Sequence, residues 1–292
     1  MLKGSFVALV TPFKNNEIDY IALEKLLKFH IKNETDGILL CGTTGEAPAL
    51  AGDEKERLIR YSLKILENKL PVMVGTGSNN LHHSIANTQK AKEWGADYAL
   101  VITPYYNKPT QSGLYHYFTK IAQKCDIPIV IYNVPGRTGV NIDAKTTIKL
   151  ALENDNIVGI KEASGNLEQI SQIVKELPES FSVMSGEDSL NLPILSCGGK
   201  GAISVTANIV PAAVHNLIRY WEKGNIKEAR KIHLQLLELN QAMFIETNPI
   251  PVKESLYLMD MIEREIRLPL WKIERKNLEI LKKVLKKYRL IK

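Results

Sequence analysis

Short β-prone apolar runs recur at residues 6–10, 37–41, 72–75, 98–103, 127–132, 158–161, 181–185 and 202–205. Their apolar positions are nearly continuous rather than alternating. Parallel strands covered on both faces read this way, whereas a sheet wetted on one side alternates with period two. Between the runs lie amphipathic segments at 20–32, 53–68, 81–94, 113–124, 143–153, 167–177 and 189–196. Several open on a helix-start signal, such as Asp53 with Lys55-Glu56 following, or Asp143 before Ala144. Eight strands alternating with helices, at a repeat of about 20 to 35 residues, leave few topologies, because crossovers are right-handed and sequential strands pair. The pattern predicts an α/β fold of the (β/α)8 TIM-barrel type. The runner-up, a doubly wound open sheet, would carry a Gly-rich nucleotide loop after its first strand, and here Val10 is followed by Thr11-Pro12-Phe13.

Strand signals stop after Pro211. Segments 214–223, 226–244, 252–263 and 277–290 read as helices, separated by Gly224, Asn248-Pro249 and Pro269. The expected organisation is a barrel over residues 1–223, its eighth helix overlapping the first of these segments. A small C-terminal helical domain follows over residues 224–292.

Charge and cysteine content narrow the class. The formal net charge is +6, but Lys and Arg are spread along the chain, where a nucleic-acid binder would gather them on one face. The densest basic stretch, 282–292, follows Leu281 and contains Val284, Leu285 and Leu290 at helical spacing, so it reads as a solvated helix face. Cys41, Cys125 and Cys197 are too few and too scattered for a disulfide framework or a zinc site, and are expected to be small buried residues in a reducing compartment. No apolar stretch reaches membrane-spanning length, and the run at 6–10 is too short for a signal peptide. A cytoplasmic protein is expected, with no membrane or nucleic-acid partner.

In a barrel of this type functional groups sit where strands end. Those ends are Thr11-Pro12, Gly42-Thr43-Thr44-Gly45-Glu46, Gly75-Thr76-Gly77, Thr103-Pro104-Tyr105-Tyr106-Asn107, Tyr132-Asn133, Lys161-Glu162 and Ser185-Gly186-Glu187. They are rich in hydroxyls and lack the His and carboxylate cluster of a metal site, so no metal is expected. Lys161 closes the apolar run Ile157-Val158-Gly159-Ile160. Desolvation there would lower its pKa and make the amine nucleophilic toward a carbonyl; a lysine snorkelling to solvent is the plainer alternative. Tyr132 could shuttle protons for imine chemistry, or be a core tyrosine. The turn 42–45 could cradle a small carboxylate. Arg137 could bind a second carboxylate bidentately, or be a solvated loop cation. Gly198-Gly199-Lys200-Gly201 looks like a phosphate loop, but it precedes a strand instead of following one, and reads as a turn.

Taken together, six blocks resemble the N-acetylneuraminate lyase/dihydrodipicolinate synthase family, in family order and over nearly the whole chain. They are Ala8-Leu9-Val10-Thr11-Pro12-Phe13, Gly42-Thr43-Thr44-Gly45-Glu46, the run from Thr103 to Tyr115, Tyr132-Asn133-Val134-Pro135-Gly136-Arg137-Thr138-Gly139, Gly159-Ile160-Lys161-Glu162-Ala163-Ser164-Gly165, and the run from Gly201 to Asn208. The resemblance implies that Lys161 forms a Schiff base with pyruvate and that Tyr132 donates and accepts protons. It implies that Thr43 links Tyr132 to Tyr106 of an adjacent subunit, and that Thr44 binds the pyruvate carboxylate. The backbone around Gly186 and Ile203 would line the pocket. No cofactor is implied, because the lysine imine is itself the electron sink.

Arg137 points to the branch whose second substrate is aspartate semialdehyde, since relatives that cleave sialic or keto-deoxy-sugar acids usually lack it. A partner's Tyr106 implies a homo-oligomer, at least a tight dimer and commonly a dimer of dimers. Lysine-inhibited relatives carry two histidines and a glutamate at positions that are Gly52, Lys55 and His83 here, although Asn79 and Tyr105 are kept. Weak or absent feedback inhibition by lysine is therefore expected.

Overall fold

A computed structural model describes residues Met1–Lys292. Ten strands and twelve α-helices form. The strands are β1 (Gly4–Ala8), β2 (Phe13–Lys14), β3 (Glu17–Ile18), β4 (Gly37–Leu40), β5 (Val72–Gly75), β6 (Tyr98–Ile102), β7 (Ile129–Asn133), β8 (Ile157–Glu162), β9 (Ser182–Ser185) and β10 (Gly201–Ser204). Eight of them close into a barrel in the order β1-β10-β9-β8-β7-β6-β5-β4. Every pairing described along the barrel is parallel, and the closure rules out the open sheet. All eight expected strands form, within a few residues of the apolar runs.

The helices are α1 (Tyr20–Lys32), α2 (Gly52–Leu66), α3 (Leu81–Trp94), α4 (Gln111–Lys124), α5 (Pro135–Thr138), α6 (Ala144–Glu153), α7 (Leu167–Glu176), α8 (Asn191–Ser196), α9 (Pro211–Glu222), α10 (Ile226–Ala242), α11 (Ile250–Leu258) and α12 (Arg275–Lys287). Asp143 caps α6 as its sequence position suggests, accepting from the Thr146 amide at 2.7 Å. Other boundaries move. Helix α2 begins before Asp53, because the Glu54 carboxylate reaches back to the Ala51 amide at 2.9 Å. Helix α9 begins at Pro211, whose fixed φ and missing N–H suit a first turn. Helix α11 stops at Leu258, soon followed by Asp260 in the left-handed region at φ 56°. One hairpin escaped the apolar pattern: β2 and β3 are joined by Asn15 and Asn16, at φ 55° and 61°, the conformation of a two-residue hairpin turn. Cys41 and Cys125 are buried as expected, but Cys197 is only half-buried.

By contacts the chain forms two compact units, one of Met1–Gly4 with Pro71–Ile203 and one of Ser5–Leu70 with Ser204–Lys292. In the first, strand residues Ala99, Val101, Ile129, Ile131, Ile160 and Val183 face Leu114, Phe118 and Ile121 of α4, Leu150 of α6 and Ile170 and Ile173 of α7 in one buried cluster. The intervening strand residues Leu100, Val130, Tyr132, Lys161 and Met184, also buried, take the opposite face. In the second unit, Leu23, Leu26 and Leu27 of α1, Leu58 and Ile59 of α2, and Leu281 and Leu285 of α12 are buried, while the lysines of α12 stay largely in solvent. The Gly198–Lys200 segment is a turn, with Gly198 at φ +101° and its amide bonded to the Leu195 carbonyl at 3.0 Å.

Candidate active site

The position of Lys161 depends on one irregularity. Ile157 of β8 pairs with Ile129 of β7, but the next partner of Val130 is Gly159, so Val158 is an extra residue. From there Ile160 pairs with Ile131, Lys161 with Tyr132 and Glu162 with Asn133. Without that bulge, Lys161 would align with Asn133 and share its face, because a one-residue slip exchanges the two faces of a strand. The shifted register instead puts Lys161 beside Tyr132. Glycine is needed at the bulge: a Cβ on Gly159 would lie 2.5 Å from the Ser182 carbonyl oxygen of β9.

Lys161 is 5 % exposed, and its Nζ lies 4.4 Å from the centroid of the Tyr132 ring. Burial pushes its pKa down to about 8; Asp188 opposes that shift, the Arg137 guanidinium adds to it, and Glu187 opposes it. About one molecule in ten would carry the neutral amine at pH 7, where an ordinary lysine has well under one in a thousand. The snorkelling alternative does not describe this side chain. Gly186, after β9, makes the room. A Cβ there would meet Lys161 Cγ and Cε at 3.1 Å and Ala163 Cβ at 2.9 Å. Gly186→Ala is therefore expected to slow pyruvate trapping on Lys161 by about tenfold or more with the fold retained, since a small misplacement of a reacting atom is costly. Borohydride trapping followed over time checks this.

The next residue along β8 faces the other way. Glu162 is fully buried and accepts from Asn133 Nδ2 at 3.0 and 3.2 Å, from Gln169 Nε2 at 2.9 Å and from the Ser164 amide at 2.8 Å. Burial raises its pKa despite those bonds. Asn133 also donates to Asn141 Oδ1 at 2.7 Å. This network ties the ends of β7 and β8 directly behind Tyr132 and Lys161, and holds both strands in register.

Arg137 lies exposed on the short helix α5, begun by Pro135. Ile203 is buried within β10. Two acids near Lys161 were not given a role by the sequence: Asp188, 3 % exposed and accepting from Asn191 Nδ2 at 3.1 Å, and Glu187, whose pKa burial and Asp188 raise. Their place after a barrel strand was the available signal. Tyr106 stands apart from this group. It is 88 % exposed at φ 71°, so a single chain does not pack it into the site.

Thr43 and Thr44 belong to the second unit, on the loop between β4 and α2. Thr43 is half-buried and Thr44 buried. Left-handed residues bracket the loop, Cys41 at φ 52° and Glu46 at φ 53°, each costing about 1 kcal/mol for a non-glycine residue. Inside it, the Glu46 amide donates to the Thr43 carbonyl at 3.1 Å and the Thr11 hydroxyl to the Gly45 carbonyl at 2.7 Å. Asn248 Nδ2 donates to Thr44 Oγ1 at 3.0 Å. With that lone pair engaged, the Thr44 hydroxyl proton remains a donor for an anion. No group of three or more His, Cys, Asp or Glu side chains is placed to hold a metal ion, and no helix is long and apolar enough to cross a membrane.

Comparison with known proteins finds relatives along the whole chain. The 4-hydroxy-tetrahydrodipicolinate synthase of Thermodesulfovibrio yellowstonii is 52 % identical over 292 residues, covering all of both chains. That of Aquifex aeolicus is 52 % identical over 290 residues, covering 99 % of each. The crystal structure of dihydrodipicolinate synthase from Aquifex aeolicus superposes with a TM-score of 0.97, again covering 99 % of each chain. Residues 1–288 match the Dihydrodipicolinate synthetase family. A match of that length, on a barrel that buries a lysine beside a tyrosine, places this chain in the dihydrodipicolinate synthetase family.

Proposed function

We propose that the protein condenses pyruvate with L-aspartate 4-semialdehyde to 4-hydroxy-tetrahydrodipicolinate, the first committed step of diaminopimelate and lysine biosynthesis, through a Schiff base on Lys161. The observation that carries this reading is the buried Lys161 amine, held near pKa 8 beside the Tyr132 ring. The neutral amine attacks the keto carbon of pyruvate, and loss of water gives the imine. Removal of a methyl proton then gives an enamine, the imine nitrogen taking up the electron pair. The enamine carbon attacks the aldehyde of the semialdehyde and forms the new carbon–carbon bond. The amine of that substrate then adds to the imine carbon, closes the ring and frees Lys161.

Tyr132 moves protons in the dehydration and enamine steps, connected through Thr43 to Tyr106 of a neighbouring subunit. Thr44 takes the pyruvate carboxylate, and Gly186 and Ile203 line the pocket. Arg137 takes the carboxylate of the semialdehyde, for which a planar guanidinium is suited. In this reading residues 1–223 form the catalytic barrel and 224–292 the appended helical domain. The protein works in the cytoplasm as a homo-oligomer, at least a tight dimer, and needs neither metal nor organic cofactor. Purified protein supplied with pyruvate and the semialdehyde is expected to turn over, and to leave sialic and keto-deoxy-gluconic acids uncleaved. Cleavage of either acid at a higher kcat/KM would overturn the assignment.

Feedback by lysine is expected to be weak. An inhibitor's ammonium needs an anionic partner, and the positions that cradle lysine in inhibited relatives hold Gly52, Lys55 and His83 here. Lys55 adds a cation instead, and a Cβ on Gly52 would meet nothing within 4 Å. Steady-state rates are expected to fall by less than half at about 1 mM lysine, an affinity worth roughly 4 kcal/mol. Half-inhibition below that concentration contradicts the proposal.

A further inference from the structure

The carboxylate of Glu46 is 1 % exposed and is held at both oxygens. Oε1 accepts from Lys253 Nζ at 2.5 Å, and Oε2 accepts from the Arg267 backbone amide at 2.9 Å. Lys253 is itself 5 % exposed and lies over the Phe13 ring at 4.3 Å. The Arg267 guanidinium lies over the same ring at 4.2 Å and pairs with Glu54 through two nitrogens, at 2.8 and 2.6 Å. All of these residues belong to one compact unit, and all the cations come from the C-terminal part of the chain.

A buried ion pair seldom stabilises a fold more than apolar residues of the same volume would, and in some proteins what it contributes instead is a fixed geometry. Glu46 also has a backbone conformation that glycine would adopt without strain, so its side chain is what justifies the residue there. Two residues before it stands Thr44, whose hydroxyl accepts from Asn248. Asn248 lies just ahead of α11 and Lys253 within it, so one segment grips the loop at Thr44 and again at Glu46. We propose that the buried Glu46–Lys253 pair, backed by Arg267, is a positioning device that fixes the loop 42–46 so that Thr44 presents its donors to the pyruvate carboxylate. The C-terminal helices thereby set the affinity for the first substrate. This rests on the reading of Thr44 as the carboxylate subsite.

The test is the double substitution Glu46→Gln with Lys253→Met, which keeps volume and removes both charges, made in the full-length oligomer. Half-saturating pyruvate is read from the rate of borohydride trapping, which needs no second substrate. KM for aspartate semialdehyde is read separately, and thermal unfolding is followed alongside. Half-saturating pyruvate is expected to rise about tenfold, as a loosened binding group would give, with KM for the semialdehyde within about twofold. An unchanged value for pyruvate, or an equal rise for both substrates, overturns the proposal, since a merely structural pair would lower the unfolding temperature without favouring one substrate. Should the double variant not fold, Glu46→Asp keeps the charge but shortens its reach, and is expected to raise half-saturating pyruvate about threefold; no rise there overturns the proposal equally. Thr44→Val, run in parallel, separates the two layers. If it leaves pyruvate saturation unchanged, the carboxylate reading of Thr44 fails and takes the positioning role with it. If it weakens pyruvate while the double variant does not, only the positioning role fails.

Discussion

Lys161→Met is expected to abolish the condensation and at the same time to make the folded chain more stable at neutral pH. Turnover should fall by about four orders of magnitude or more, because no other group in the proposed mechanism forms the imine. The stability gain follows from the lysine's burial. In the unfolded chain its pKa is near the ordinary 10.5, and in the fold it is near 8. Below pH 8 the amine is protonated in both states, and the folded state bears the whole cost of a poorly solvated charge, up to about 3 kcal/mol. Between pH 8 and 10.5 the folded state sheds the proton first and the cost shrinks. Above 10.5 neither state is charged and the cost is gone. The wild-type chain should therefore trail the variant by about 1–3 kcal/mol at pH 7 and draw level with it as pH rises past 10. Denaturant unfolding of both proteins from pH 7 to 10.5 checks this. A variant less stable than wild type at pH 7 would show that Lys161 is not held as a costly charge.

Tyr132→Phe is expected to lower kcat by about 10²–10⁴-fold, the usual contribution of a positioned general acid or base. The ring would still pack beside Lys161, and Tyr132 is 7 % exposed, so the fold should survive the change. Pyruvate trapping should slow as well, because carbinolamine dehydration also needs a proton. A kcat within about threefold of wild type would assign the proton transfers to another group, such as a bound water or one of the acids after β9.

Much of this arrangement could be read from the chain alone. Barrel strands are covered on both faces, so Val72–Gly75 or residues 129–132 show as nearly continuous apolar runs, and Lys161 at the end of such a run is conspicuous. What the sequence hid depends on contacts between distant residues. The extra residue Val158 leaves no mark in an apolar run, yet it decides which way Lys161 faces. Glu46 and Lys253 are 207 residues apart, and nothing in the sequence pairs them until the fold buries both. Asp188 and Glu187 lie just past a strand end, and neither differs in residue type from a surface acid until the fold places them near Lys161. The hairpin of β2 and β3 was legible in principle. Lys14-Asn15-Asn16-Glu17 has two residues that tolerate positive φ between short strands, a signal that an apolar-run search does not weigh.

The most direct test of the central claim is reductive trapping with pyruvate and borohydride, followed by peptide mapping across a pH series. The account predicts one pyruvate-derived adduct per chain on the peptide containing Lys161, absent from Lys161→Met, with a trapping rate that climbs through an inflection near pH 8. An adduct on another lysine, an adduct persisting in Lys161→Met, or an inflection near 10.5 would contradict it.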